Sequence, residues 1–132
     1  MQTELQYLYF AVLLYLLMIV VQAGSAVLSR KATVAELVGA RDAMSPAGLT
    51  PLHGRAKRAQ ANMTESMVMF TPLVLIIAHL GISTQMTVLG AALFFWGRVA
   101  FAPLYYFGVP WLRTLAWAVS IFGIILLMLA LL

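Results

Sequence analysis

The chain has 132 residues, 64% of them hydrophobic and only 9% Asp, Glu, Lys or Arg, against ~25% charged residues in an average soluble domain. So few charges cannot cover a water-facing surface, which excludes a cytosolic enzyme. The absence of cysteine excludes a disulfide framework, a thiolate metal site and a cysteine nucleophile. Four bilayer crossings at ~20 residues each use roughly 80 residues and leave about 50 for connections, so residues 1–132 are read as one all-α, four-span domain.

The first span is predicted over 5–29, a stretch free of charged residues. It is longer than a signal-peptide core and Met1-Gln2-Thr3-Glu4 offers no basic n-region, so it is read as a retained helix. Residues 30–54 form the one sizeable loop. Within it Thr33-Val34-Ala35-Glu36 fits a capping box for a short helix carrying Val34, Leu37 and Val38. Thr50-Pro51 then has the form of an N-cap followed by proline at the first helical position. The second helix is therefore expected to begin before the bilayer and to carry Arg55 to Arg58 on an extension, with His53 still in the loop. Its apolar part is predicted over 62–80, ended by Gly81-Ile82-Ser83-Thr84. The third span is predicted over 85–106, with Pro103 kinking its last turns. Gly108-Val109-Pro110 makes a turn, and the fourth span runs over 111–132 with no charge after Arg113.

All eight basic residues fall on one side of this arrangement. Arg30, Lys31, Arg41, Arg55, Lys57 and Arg58 belong to the first loop's side, and Arg98 and Arg113 flank the turn between the third and fourth spans. Positive-inside bias puts that side in the cytoplasm and both termini outside. The short loops lean towards a bacterial inner membrane if the source is prokaryotic. Topology alone accounts for the net charge of +4, so nothing points to nucleic acid; anionic headgroups or an anionic ligand are the natural partners. His53 and His79 share no metal-binding spacing, and no metal site is expected.

Arg58, Asn62 and Glu65 stand at i, i+4 and i+7, one stripe of a helix. Glu65 is the one carboxylate inside the predicted spans, and a carboxylate costs ~2.5–3.5 kcal/mol at the bilayer centre on insertion scales. It therefore needs a partner from another helix. Arg98 or Arg113 is available, Arg98 being the structural ion-pair candidate. Arg98, Phe101 and Tyr105 share a face of the third helix, and Arg113 and Thr114 open the fourth at the same depth. Arg30 ends the first span on that side too. Taken singly these residues have ordinary explanations: arginines at helix ends snorkel to headgroups, Asn62 can bridge helices, and Tyr105, Tyr106, Trp96, Trp111 and Trp117 suit the interfacial aromatic belt. Together they suit a small molecule with two carboxylates and an amine. Arginine forks bind carboxylates, Glu65 and Asn62 can accept from an ammonium, and a further arginine can stabilise a thiolate.

Arg55-Ala56-Lys57-Arg58-Ala59-Gln60-Ala61-Asn62-Met63-Thr64-Glu65, running into Phe70, resembles the second-helix signature of the MAPEG family, the membrane-associated proteins in eicosanoid and glutathione metabolism. Gly97-Arg98-Val99-Ala100-Phe101, with Tyr105 and Arg113-Thr114, is similar to that family's third helix and the start of its fourth. The resemblance implies a left-handed four-helix bundle assembled as a homotrimer, with glutathione between protomers near the cytosolic face. By matching position, Arg30, Arg58, Asn62, Glu65 and Tyr105 would hold glutathione. Arg113 and Thr114 would stabilise its thiolate, and a lipophilic electrophile or lipid would arrive through the membrane. The implied activity is a detoxifying glutathione transferase, with peroxidase chemistry on the same thiolate. Ala61, Ser66 and Phe101 depart from residues found in some members. These departures keep open a second reading, a non-catalytic lipid-binding or scaffold protein of the same fold. A four-span drug–proton exporter would need a glutamate embedded in the first span, and 5–29 contains none.

Overall fold

The computed structural model describes residues 1–28, 34–39 and 50–132. It is all-helical, with α1 Thr3–Leu28, a short α2 Val34–Val38, α3 Pro51–His79, α4 Gln85–Tyr106 and α5 Pro110–Leu129. α1, α3, α4 and α5 are each long and apolar enough to cross a bilayer. In hydrocarbon only a helix or a closed barrel satisfies every backbone group internally, and the chain takes the first solution four times.

Local sequence explains the helix starts. Thr50, in an extended conformation (φ −138°, ψ 165°), accepts a hydrogen bond from the His53 backbone N–H, and Pro51 occupies the first turn. α3 therefore starts 11 residues before the apolar stretch predicted from Asn62. The expected Thr33 cap of α2 lies outside the described residues, as do Arg30, Lys31 and Arg41. α4 opens on a reciprocal box in which the Thr87 N–H donates to Thr84 Oγ1 and the Thr84 N–H donates to Thr87 Oγ1. Its helix continues through Pro103 to Tyr106, forgoing the one backbone N–H that proline lacks. Gly81 and Gly108 supply the left-handed backbone (φ 68° and 72°) that ends α3 and α4.

The long helices alternate in direction, as their side-chain contacts show. The start of α1 meets the start of α4 through Glu4, its middle meets the middle of α3 through Tyr15 and Thr64 (2.7 Å), and its end meets the start of α3 through Gln22 and His53 (3.1 Å). α4 and α5 form the closest pair. A Cβ on Gly123 would stand 2.5 Å from the Gly90 carbonyl oxygen, and one on Gly97 would stand 2.9 Å from that of Ala116. Such close backbone approach is how small residues hold membrane helices together. Phe70 of α3 stacks on Phe94 of α4 at 3.8 Å between ring centres, with Met18, Met63, Val74, Ile77 and Leu127 buried around them. Leu13, Leu16, Leu17, Val20, Trp111 and Leu115 face outward, as the bilayer-facing side of such a bundle should.

Two sequence expectations change here. Glu65 is not the only carboxylate in a long helix. α1 begins at Thr3, and Glu4 in its first turn is completely buried, accepting hydrogen bonds from Ser83 Oγ (3.0 and 3.2 Å) and from Thr87 Oγ1. The hydroxyls of Ser83 and Thr87 thus satisfy this buried carboxyl group between the starts of α1 and α4. His53 is not a loop residue either: it lies in the first turn of α3, 2% exposed.

Candidate functional site

The basic end of the bundle is built on α3, whose first four turns place successive polar groups along one side. Arg58 and Glu65 are exposed there, while Asn62 between them is half-buried. One turn earlier, Arg55 is drawn away from this stripe. Its Nη1 donates to the Tyr106 carbonyl at 3.2 Å, and its guanidinium lies against Gly108. It thereby satisfies an end carbonyl of α4 and ties α3 to the α4–α5 turn.

Arg98 enters from α4 and is 1% exposed. The expected ion pair with Glu65 gives way to a different arrangement. Nη1 donates to Asn62 Oδ1 at 2.5 Å and Nη2 donates to Ser66 Oγ, while the Ser66 hydroxyl donates to the Asn62 carbonyl at 3.0 Å. The reason is angular: at ~100° per residue, Asn62 and Ser66 face α4 together while Glu65 turns outward. Glu65 acts on Arg98 only through its field. The guanidinium also stands 5.0 Å from the Phe101 ring centre and 5.8 Å from that of Phe94, a favourable cation–π setting. Its Nε–H has no acceptor among the described residues.

Two of the departures noted in the sequence therefore serve one purpose. Ser66 and Phe101 both contact Arg98, so they form a cage for a buried cation. Sequence reasoning treated them as separate losses. The available signal was spacing, since Ser66 lies at i+4 from Asn62, and Phe101 lies at i+3 from Arg98.

From Phe101 the contacts continue to Tyr105, at 5.3 Å between ring centres, and from the Tyr105 ring to the Arg113 guanidinium, 4.6 Å above it. Asn62, Arg98, Phe101, Tyr105 and Arg113 thus form one continuous track from α3 across α4 to α5. Arg113 is half-buried, held over a ring that leaves its N–H donors uncommitted among the described residues. Thr114 is exposed, and its hydroxyl donates to the Pro110 carbonyl at 2.9 Å. In this conformation its proton is not available to an anion. Arg58 and Glu65 make no side-chain hydrogen bond among the described residues, and Arg30 lies outside them. No group of three or more His, Cys, Asp or Glu with metal-binding geometry occurs among the described residues.

The arrangement offers arginine donors uncommitted among the described residues at Arg58 and Arg113, with an amide and a carboxylate on the Arg58 stripe. It can bind a small zwitterion with more than one carboxylate and favour an anion near Arg113. Comparison with curated proteins and with solved structures finds no match. A family model does match, over residues 7–132. With nearly the whole chain covered by that match and four membrane-length apolar helices, this multi-pass membrane protein belongs to the MAPEG family.

Proposed function

We propose that the protein is an integral-membrane glutathione transferase that conjugates or reduces lipophilic substrates through a thiolate stabilised by Arg113. The observation that carries this reading is the half-buried Arg113 guanidinium, poised over Tyr105 with its donors uncommitted among the described residues and linked through Tyr105, Phe101 and Arg98 to Asn62. A guanidinium brings a positive charge and N–H donors with no acceptor, a setting that favours a thiolate over a thiol beside it. Each unit by which it lowers the thiol pKa favours the thiolate by ~1.4 kcal/mol. Arg58, Asn62, Glu65 and Tyr105, with Arg30, hold the peptide part. In conjugation the thiolate sulfur bonds to an electrophilic carbon, and the leaving group departs with the electron pair of the broken bond.

Glu65, exposed on α3 within its predicted apolar part, supports assembly with further copies, because an ionised group in a membrane seeks cover from protein. A homotrimer with glutathione between protomers meets that need. The charge bias supports a cytoplasmic site and external termini.

The test is a glutathione titration of detergent-purified protein, followed by thiolate absorbance. Saturable binding with a thiolate signal is expected, and Arg113→Leu should lose the signal while retaining weaker binding. No saturable binding, or an unchanged signal in the variant, overturns the reading. One observation favours the second reading, a non-catalytic lipid-binding protein: the Thr114 proton is committed to Pro110, leaving a single cation to stabilise the thiolate. Turnover with a chlorinated aromatic acceptor would dispose of that alternative.

A further inference from the structure

The geometry points to Arg98 as a positioning residue: by seizing the Asn62 side-chain oxygen, it makes Asn62 a hydrogen-bond donor towards ligand. This rests on reading the site as one for glutathione and says which part of that molecule Asn62 meets. A carboxamide carries an acceptor and a two-proton donor on the same plane, and hydrogen-bond partners decide which faces where. A guanidinium has donors only. With Arg98 Nη1 at 2.5 Å, the atom facing it has to be oxygen, since the NH2 group would set donor against donor.

Nothing in the cage can reverse this. Arg98 is 1% exposed, flanked by Phe94 and Phe101, and its second terminal nitrogen is held by Ser66. Ser66 has no choice of role either. Its proton goes to the Asn62 backbone carbonyl, so only a lone pair faces Arg98. Donor direction therefore runs outward from the guanidinium at both contacts. The Asn62 Nδ2 makes no hydrogen bond among the described residues and is not a sealed, unpartnered atom. Asn62 is half-buried on the stripe that carries the exposed Arg58 and Glu65, which leaves this NH2 group for a ligand there. The neighbouring cation polarises the amide and strengthens that donor.

The stripe thus presents donors at Arg58 and Asn62 and an acceptor only at Glu65. The sequence-based expectation that Asn62 accepts from an ammonium is reversed. The ligand ammonium belongs to Glu65, and Asn62 serves a carboxylate or peptide carbonyl.

Asn62→Asp tests this through the sign of its effect. Aspartate has nearly the same shape, keeps an oxygen on Arg98, and replaces the outward donor by an acceptor. Glutathione binding by the purified protein should weaken roughly 10- to 100-fold, the scale of losing a hydrogen bond to a charged group. The same loss should appear with N-acetylglutathione, which has no ammonium. Tighter glutathione binding by the variant, with the gain abolished by N-acetylation, would overturn the proposal and assign the ammonium to position 62.

A second measurement does not depend on glutathione. Asn62 is the only asparagine in the chain, so selective ¹⁵N-asparagine labelling yields a single side-chain NH2 pair. In ligand-free protein those protons should exchange readily with water. Strong protection would mean that the NH2 faces the buried cage, and would refute the assignment. If wild-type protein fails to bind glutathione while these protons exchange freely, the functional reading falls and the donor orientation stands.

Discussion

The close seam between α4 and α5 makes a prediction that separates packing from helix propensity. A methyl group added at Gly123 would lie 2.5 Å from the Gly90 carbonyl oxygen and 2.7 Å from the Phe94 nitrogen. Ordinary contact begins near 3.4 Å, so the two backbones must separate by about 0.9 Å, the difference between 3.4 and 2.5 Å. Both obstacles are backbone atoms and cannot swing aside. Alanine gains ~1 kcal/mol over glycine inside a helix, whereas overpacking a close interface costs ~1–3 kcal/mol. Gly123→Ala should therefore be net destabilising by up to about 2 kcal/mol. Gly24→Ala is the control, because a Cβ there meets nothing within 4 Å; it should stabilise by up to ~1 kcal/mol. Equilibrium unfolding of both variants in mixed detergent micelles reads the two signs directly. If Gly123→Ala were as stable as wild type, or if both variants shifted the same way, the close seam would not be limiting and the reasoning would fail.

Further outcomes follow from the polar groups. Glu4→Gln replaces an acceptor of hydroxyl protons by an amide half of which is a donor, and should cost ~1–3 kcal/mol in the same unfolding assay while leaving glutathione affinity unchanged. Since the chain has no cysteine, Leu132→Cys and Lys57→Cys report topology without background. In intact cells an impermeant maleimide should label the first and spare the second, and the reverse pattern would invert the proposed orientation.

The amino-acid sequence by itself determined the class of protein and the number and placement of the long helices. Those properties depend on one-dimensional quantities: runs of apolar residues long enough for a bilayer, the Thr50-Pro51 start, and the glycines at the turns. The family match over residues 7–132 was legible for the same reason, because Arg58, Asn62 and Glu65 carry their spacing along a single helix. What the sequence could not decide was which side chains meet across helices. It offered Glu65 as the partner of Arg98, because opposite charges attract. The tertiary structure instead gave Arg98 to Asn62 and Ser66, because those two face α4 and Glu65 does not. It likewise set Arg55 to hold the end of α4, and buried Glu4 among hydroxyls at the opposite end of the bundle. Such choices depend on angular position about each helix and on which neighbour arrives there. A hydrogen bond responds to a few ångströms and a direction, and neither is written along the chain.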